Sequence, residues 1–285
     1  MRLLATTNGG LEAIAAGELR DLIDCEADVH HRGVLEFDGT EEDIYKLHDR
    51  ARSLHRITAV VADGTVETLE DVYERTVEAP IAETLPDADF GVVGTRHGTH
   101  EFTSMDVAER VGQAVIDAYR EGRGTRLPVD LDDPTVRLDA YLYDDRFTLA
   151  VDLTGDSLHK RPYRICEHDA PLRSTLAYSM LRIAEWTPGD RLVDPMAGSA
   201  TIPIEAARAG ADRITRPDLD PMFEALPDYD GERFRALRDE HVPEPASLDI
   251  EARDRREKWR RCARENCEAA GLSEAIDVVA ADARE

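Results

Sequence analysis

One segment of the sequence, LVDPMAGSATI over residues 192–202, restricts the possible fold more than any other. It predicts a short strand that ends at Asp194, a tight turn of small residues, and a helix that begins near Thr201. Strand, turn and helix in this order are typical of an open parallel α/β sheet. Small residues let a ligand approach the backbone, and a helix start offers free N–H groups, so the segment is a candidate binding site. An ordinary corner between a strand and a helix gives the same pattern, and both interpretations stand at this point.

Acidic residues end three successive predicted strands of this region. Asp194 would repel a phosphate, so it favours a cofactor that carries an ammonium group and a carboxylate. Asp254 ends the next strand, where a carboxylate can accept hydrogen bonds from both hydroxyls of a ribose. Asp282 ends the strand after that and can accept a hydrogen bond from an adenine amine. Each acid alone is commonly a solvated surface residue, but three at the carboxyl ends of neighbouring strands predict one ligand site.

The patterns before this region predict two further units and a linker. Residues 1–62 show the order β-α-β-β-α-β, a ferredoxin-like arrangement that serves many functions. Residues 63–154 form a second unit, and residues 155–165 link it to the third. In the second unit we expect helices at Leu69–Ala79 and, capped by Ser104, at Met105–Tyr119, and strands at Gly91–Arg96, Val136–Tyr143 and Phe147–Leu153.

The third unit, residues 166–285, alternates helices with strands, which predicts an open parallel sheet. The expected helices are Ala170–Trp186, with Pro171 in its first turn, Thr201–Ala209 and Arg255–Ala270. The expected strands are Arg191–Asp194, Leu248–Arg253 and Ile276–Val279. Residues 212–246 show no clear periodicity and predict irregular structure.

The net negative charge of the chain does not by itself exclude a nucleic-acid partner. Lys and Arg number 35 against 60 Asp and Glu, a formal net charge of −25, which by itself argues against a nucleic-acid partner. The acids are spread along the chain, however, and only three of the cations are lysines, which is typical of a protein from a high-salt cytoplasm. We therefore expect a cytoplasmic protein and infer its partner from the motifs.

Other features limit the class of protein further. Apolar stretches are too short for a membrane span, and the N-terminal residues lack the apolar region of a signal peptide. The four cysteines match no zinc spacing, so we expect reduced thiols and no metal site. These cysteines are Cys25, Cys166, Cys262 and Cys267.

Several motifs together resemble one enzyme family. DPMAGSATIPIEAA at 194–207 resembles the first motif of class I S-adenosylmethionine-dependent methyltransferases, in the form found in RNA guanine-N2 methyltransferases with a THUMP domain. LHKRPYR at 158–164 and APLRSTLA at 170–177 resemble a second block of that family. GTRHGTHEFTSMDVA at 94–108 resembles the THUMP core, and residues 1–62 resemble the ferredoxin-like domain that precedes it. The resemblance therefore covers essentially the whole chain.

The resemblance implies a site for S-adenosylmethionine. Residues of the first motif would hold the methionine part, namely Asp194, Pro195, Ala197, Gly198, Ser199 and Thr201. Asp254 would bind the ribose, Asp282 and Ala283 the adenine, and residues 170–175 would pack beside the cofactor. Ala200 stands where the family has a second glycine, which adds a methyl group near the cofactor.

The catalytic motif of that family is absent from the sequence. It has the form Asn/Asp-Pro-Pro-Tyr/Phe, and its groups accept hydrogen bonds from the guanine amine and stack on the flipped base. The chain contains no Pro-Pro pair, so no catalytic residue can be assigned in it. Since the family carries this motif on the strand after Asp282, we expect a truncated, inactive methyltransferase domain with an incomplete Rossmann-like sheet.

Local cationic patches are the candidates for RNA contact. Residues 253–264 hold seven cations against two acids and include Arg260, Arg261 and Trp259, although a solvated helix face explains that pattern equally. Arg96 and His100 lie near the THUMP helix, where histidines are as commonly structural. A third patch in the connector comprises Lys160, Arg161 and Arg164.

The sequence thus predicts an α/β protein in which a ferredoxin-like and THUMP module precedes a partial Rossmann-like methyltransferase domain. The expected activity of the full-length protein is methyl transfer from S-adenosylmethionine to an RNA base, most simply guanine N2 in tRNA or rRNA. The alternative is an RNA-binding THUMP protein without catalytic activity. A methyltransferase for metabolites is disfavoured, because a THUMP-like sequence would then have no purpose.

Overall fold

The structure is a computed structural model that describes residues 1–243 and 247–284. It contains two separate sheets with helices packed against them. The strands are β1 (Arg2–Thr7), β2 (Ala27–His31), β3 (Val34–Asp38), β4 (Leu54–Thr65), β5 (Phe90–His97), β6 (Val136–Tyr143), β7 (Arg146–Asp152), β8 (Arg191–Asp194), β9 (Asp249–Arg253) and β10 (Asp277–Val279). The helices are α1 (Glu12–Ile23), α2 (Glu41–Arg50), α3 (Leu69–Val77), α4 (Ile81–Thr84), α5 (Ser104–Arg123), α6 (Ser174–Ile183), α7 (Thr201–Gly210), α8 (Gly231–Glu240) and α9 (Glu257–Ala269), with a 3-10 turn at Met222–Ala225.

The first two units share one seven-stranded sheet of order β2-β3-β1-β4-β7-β6-β5. Strand β4 makes this possible because it pairs with β1 through its first half and with β7 through its second half. The division expected between residues 62 and 63 therefore falls inside β4. Periodicity alone could not show this, since it reports the presence of a strand and not the number of its neighbours.

One face of the β5–β7 part of the sheet is buried beneath helices α3 and α5. Alternation along β6 places Val136, Leu138, Ala140 and Leu142 in the core, whereas Tyr141 and Tyr143 lie on the other face. Helix α5 is capped by Thr103, whose side chain accepts from the Asp106 N–H in a capping box. The prediction of Ser104 as the cap was therefore wrong by one residue.

The second sheet has the order β10-β9-β8, and both of its strand pairs are parallel, as the sequence predicted. Helices α6, α7 and α9 accompany it, and its core is separate from that of the large sheet. Helix α6 begins at Ser174, so Pro171 lies before the helix and not in its first turn. Because its strands are parallel, the carboxyl ends of β8, β9 and β10 lie at a common edge.

Part of the segment that lacked periodicity is helical. Residues 212–246 contain the 3-10 turn and helix α8, and residues 244–246 lie outside the described part of the chain. Phe223 and Phe234 are fully buried and their rings lie 5.2 and 5.5 Å from that of Tyr45 in α2. The buried apolar residues of this segment, which include Leu219 and Leu226, follow no regular spacing, so the packing partner decides its structure and the local pattern does not.

The structure also corrects the expectation of four reduced cysteines. Cys166 and Cys262 form a disulfide, with their Cα atoms 5.4 Å apart and 96 positions between them in sequence. Cys25 and Cys267 are free. The pairing depends on the packing of the linker end against α9, which no local cysteine spacing reveals. Among the described helices, none combines the length and the apolar character needed to cross a membrane.

Candidate functional site

The three acids singled out from the sequence lie at the carboxyl edge of the small sheet. Asp194 is the last residue of β8, Asp254 follows β9 directly, and Asp282 lies three residues beyond β10. Strands β8 and β9 are in parallel register, with Asp194 opposite Ala252. The edge is therefore acidic at three neighbouring strand ends, the position where ligands bind in open α/β sheets.

Backbone hydrogen bonds fix the turn after β8 against the end of β9. The Ala197 N–H donates to the Arg253 carbonyl at 2.8 Å, and the Gly198 N–H donates to Asp254 Oδ2 at 3.2 Å. Gly198 and Ala200 have φ values of 54° and 64°, the left-handed region that favours glycine. The turn is thus held in one conformation, with the Asp254 carboxylate beside its backbone.

The electrostatics of Asp194 suit a positively charged ligand group. Burial raises the pKa of its carboxyl, a hydrogen bond from the Met196 N–H lowers it, and the charge of Asp254 raises it. Among the described residues Asp194 makes no ion pair with a cationic side chain. A ligand ammonium group at this position would supply the missing positive charge, so the residues fit the cofactor that the sequence implied.

Two adjoining cavities open at this edge. The larger, 450 Å³, lies beside Asp254 and Asp282, and the smaller, 250 Å³, lies beside Asp194 and Thr201. His168, Met196 and Gly198 line both. The arrangement therefore accommodates an elongated ligand that has one end in each cavity.

Three residues that the sequence analysis did not assign to this site pack around the cavities. His168 stacks on Trp259, with ring centroids 4.0 Å apart, and lies over the turn at Gly198. Asn266 is buried and donates from Nδ2 to the carbonyls of Cys166 (2.8 Å) and Ser199 (3.0 Å). This asparagine joins the residue 166 segment to the turn. The sequence offered one signal for this residue, because asparagine occurs only twice in the chain.

Asp282 and Ala283 line the larger cavity together with Arg284. The Arg284 guanidinium donates two hydrogen bonds to the carboxylate of Asp282 and its backbone N–H donates a third, and these bonds lower the pKa of that carboxyl. Asp282 therefore carries its negative charge at neutral pH. Its carboxylate can also accept a hydrogen bond from a ligand amine.

The structure removes one of the predicted RNA-contact residues and disfavours two more. Arg161 is fully buried at the side chain and pairs with Glu205, so it is inaccessible to RNA. Arg260 is 12% exposed and donates to the Asp254 carbonyl and to Glu257, and Arg164 is equally buried beside Glu167. Trp259 is also buried. Sequence counts of arginine do not distinguish such packed guanidinium groups from exposed ones.

The other predicted RNA-contact residues are more accessible. Arg261 is 75% exposed at the side chain and lies 3.5 Å from Glu265, and Lys160 is 59% exposed and pairs with Asp156. Arg96 lies on β5 and His100 lies in the loop that follows this strand, and the two side chains are hydrogen bonded at 3.1 Å. These groups lie on different elements, and no single cationic surface is defined by them.

Three family models match the chain in succession. Residues 2–58 match the RlmL ferredoxin-like domain, residues 66–152 the THUMP domain, and residues 161–285 the RMKL-like methyltransferase domain. The fold of the third unit is that of a class I methyltransferase domain, and it follows a THUMP domain in the chain. The chain is a THUMP-containing protein with an RlmL-like methyltransferase domain.

Individual relatives agree with this assignment. A tRNA (guanine(6)-N2)-methyltransferase of Archaeoglobus fulgidus is 40% identical over 73% of this chain and 53% of its own length. The enzyme of the same description from Methanocaldococcus jannaschii is 28% identical over 99% of this chain and 76% of its own length. The solved structure of SMU.472 complexed with SAH has a TM-score of 0.88 at 27% identity, covering 100% of this chain and 76% of that one. The chain thus spans about half of one relative and three quarters of the others.

Proposed function

We propose that the protein binds S-adenosylmethionine and that the whole protein transfers its methyl group to an RNA base, guanine N2 in tRNA or rRNA. The observation that carries the proposal is the set of three carboxylates around two adjoining cavities at the edge of the small sheet. The names of the relatives, tRNA guanine-N2 methyltransferases, support the choice of RNA and of guanine. The structure of SMU.472 with SAH supports the cofactor.

Each part of the site has a proposed task in cofactor binding. Asp194 pairs with the ammonium group of the methionine part, beside Ala197, Gly198, Ser199 and Thr201, whose small size leaves room for it, and Pro195 lines the adjoining larger cavity. Asp254 accepts hydrogen bonds from the ribose hydroxyls, and Asp282 with Ala283 holds the adenine. The bound cofactor supplies an activated methyl group on its sulfonium. The chain orients that group by holding both ends of the cofactor.

The acceptor base and its catalytic residues are a separate part of the proposal. No residue of this chain is assigned a catalytic role, because the sequence has no Asn/Asp-Pro-Pro-Tyr/Phe motif. RNA phosphates would be contacted by the exposed cations Arg261 and Lys160, together with Arg96 on β5 and His100 in the loop after it. Such contacts would make RNA binding weaken as salt increases, with a smaller slope after removal of one cation.

Calorimetric titration of S-adenosylmethionine into the chain tests the cofactor site directly. Asp254→Ala removes a charged acceptor of hydrogen bonds and should weaken binding by about tenfold or more. Asp249→Ala is the matched control, since Asp249 begins the same strand at its opposite end and is exposed. It should bind as the unaltered chain does. Equal affinity of the Asp254 variant would remove this residue from the site, and RNA binding without cofactor binding would favour the non-catalytic alternative.

We also propose that the protein works in a high-salt cytoplasm. The support is compositional, with a net charge of −25 spread along the chain and three lysines among 35 cations. Screening of the mutual repulsion between acids should raise the thermal midpoint of unfolding when KCl is increased from low to molar concentration. A midpoint that falls or stays constant would contradict this setting.

A further inference from the structure

The face of the large sheet that is turned away from helices α3 and α5 carries a column of histidine and tyrosine rings in contact with one another. His97 and Tyr143 are register partners on β5 and β6, so their side chains leave the sheet side by side. Their ring centroids are 4.9 Å apart with a 37° angle between the planes. This pair stands at the carboxyl end of both strands.

The ferredoxin-like part adds a third ring to the column. His31 of β2 stacks on Tyr143 with centroids 4.8 Å apart and an interplanar angle of 29°, and it contacts Tyr141 at 5.8 Å. The register between β2 and β3 shifts between Val29 and His31, and His30 reaches within 3.4 Å of the Thr148 hydroxyl on the same face. At this irregularity both consecutive histidines contact residues of β6 or β7, so the column is built by both units.

The outer end of the column is open to solvent. His97 is exposed, whereas Tyr143 and His31 are half-buried. Burial, followed by the charges of His30, His97 and Arg146, lowers the pKa of His31 to about 4, so that ring is neutral at pH 7. At His31 the column therefore presents an aromatic surface and not a cationic one.

Charges around the column argue against simple phosphate attraction. Arg146 is exposed but pairs with Glu36 at 3.1 Å, and Arg96 donates to the Gly98 carbonyl and His100. The exposed acids Asp144 and Asp145 lie in the turn directly after Tyr143. These acids would repel a phosphate group, whereas they would not repel an uncharged base placed on His97.

We propose that the column Tyr141–His31–Tyr143–His97 is a stacking platform for an unpaired nucleobase of RNA. Aromatic rings on a sheet face bind single-stranded RNA because every base has a π face, and each stacked base contributes about 1–3 kcal/mol. Bases inside a duplex are already stacked on their neighbours, so the platform selects unpaired ones. The choice of RNA rests on the proposed function, whereas the platform itself rests on the ring geometry.

Fluorescence anisotropy tests the platform with two probes, a labelled single-stranded RNA oligonucleotide and a blunt-ended duplex of the same sequence. His97→Ala should weaken single-strand binding about fivefold or more and leave duplex binding unchanged. His97→Phe keeps a ring and should retain the affinity. Since no phosphate contact is removed, the salt dependence of His97→Ala should match that of the unaltered chain.

Tyr73→Ala is the control, because Tyr73 lies on α3 in the helical layer on the opposite side of the sheet. It should bind the single strand normally. Equal loss in His97→Ala and His97→Phe, equal loss for duplex and single strand, or no loss at all would overturn the platform. Calorimetric titration of S-adenosylmethionine into the same variants tests the cofactor site separately. If a variant binds the cofactor normally and its affinity for RNA is also unchanged, the platform is rejected and the proposed function is not.

Discussion

Arg161 and Glu205 form an ion pair in which both side chains are fully buried, with Nε and Oε1 3.1 Å apart. Tyr163 donates to the same carboxylate oxygen at 2.8 Å, and Arg161 also donates to the Arg52 carbonyl at 3.1 Å. Burial acts to raise the pKa of Glu205, but Arg161 and the nearby guanidinium groups hold it below its usual value. The pair joins the linker, the ferredoxin-like unit and helix α7, which begins directly after the turn that follows β8.

Replacing Arg161 should destabilise the protein strongly. Arg161→Met leaves the Glu205 carboxylate buried without its partner, and we expect a loss of about 3–5 kcal/mol in the free energy of unfolding. Urea unfolding measures it. Lys160→Met is the control, because its pair with Asp156 is exposed and such pairs contribute at most about 1 kcal/mol. Similar losses in the two variants would show that the buried pair has no special role in joining the units.

The stability of the protein should fall as the pH drops below 6.5. His48 is fully buried, with Nδ1 2.7 Å from the Ile44 carbonyl and Nε2 3.0 Å from the Thr154 hydroxyl. Burial lowers its pKa to about 4, against 6.5 for an exposed histidine. The unfolded chain therefore binds the proton first, so this stabilisation is present above pH 6.5 and is lost as pH falls towards 4, by roughly 3 kcal/mol in total.

Urea unfolding at a series of pH values checks this expectation. His48→Gln removes the titrating group and should flatten the dependence of stability on pH between 6.5 and 4. An identical slope in His48→Gln would mean that His48 does not titrate with the expected shift.

Ala200→Gly should stabilise the fold. Ala200 is buried at φ 64°, a conformation that costs an L-residue about 1–2 kcal/mol, while glycine adopts it freely. The greater backbone entropy of glycine in the unfolded chain offsets part of this relief. We therefore expect a net increase of up to about 1 kcal/mol in the free energy of unfolding. Ala206→Gly, within helix α7, should instead lose about 1 kcal/mol. Thermal unfolding of both variants measures the difference, and a loss in both would contradict the strain at residue 200.

Reduction of the disulfide should destabilise the chain. The bond between Cys166 and Cys262 closes a loop with a sequence separation of 96 residues, and a loop of that size is stabilising by about 2–4 kcal/mol. Urea unfolding with and without reductant measures the effect, and thiol labelling of the unfolded chain should rise from two cysteines to four. A double Cys166→Ser, Cys262→Ser variant should be insensitive to reductant. Four reactive thiols before reduction would restore the original expectation of reduced cysteines.

The site was more predictable from the sequence than the surfaces around it. Asp194 and Asp254 follow strands that local alternation identifies, and parallel strands bring their carboxyl ends to one edge without further information. His168, Trp259 and Asn266 were missed as parts of the site, since each acts through a neighbour that is distant in sequence. The same limit applies to Arg161, which the sequence placed in a cationic patch and the structure buries against Glu205.

By itself, the sequence determined the order of the three units, the parallel sheet and the acidic edge, because periodicity and turn residues act over a few neighbouring positions. Only the tertiary structure decided which arginines are exposed, which cysteines pair, and that β4 joins two units into one sheet. It also decided that His31 stacks on Tyr143 across that sheet. These features depend on burial and on contacts between residues far apart in the chain, which the linear pattern does not contain.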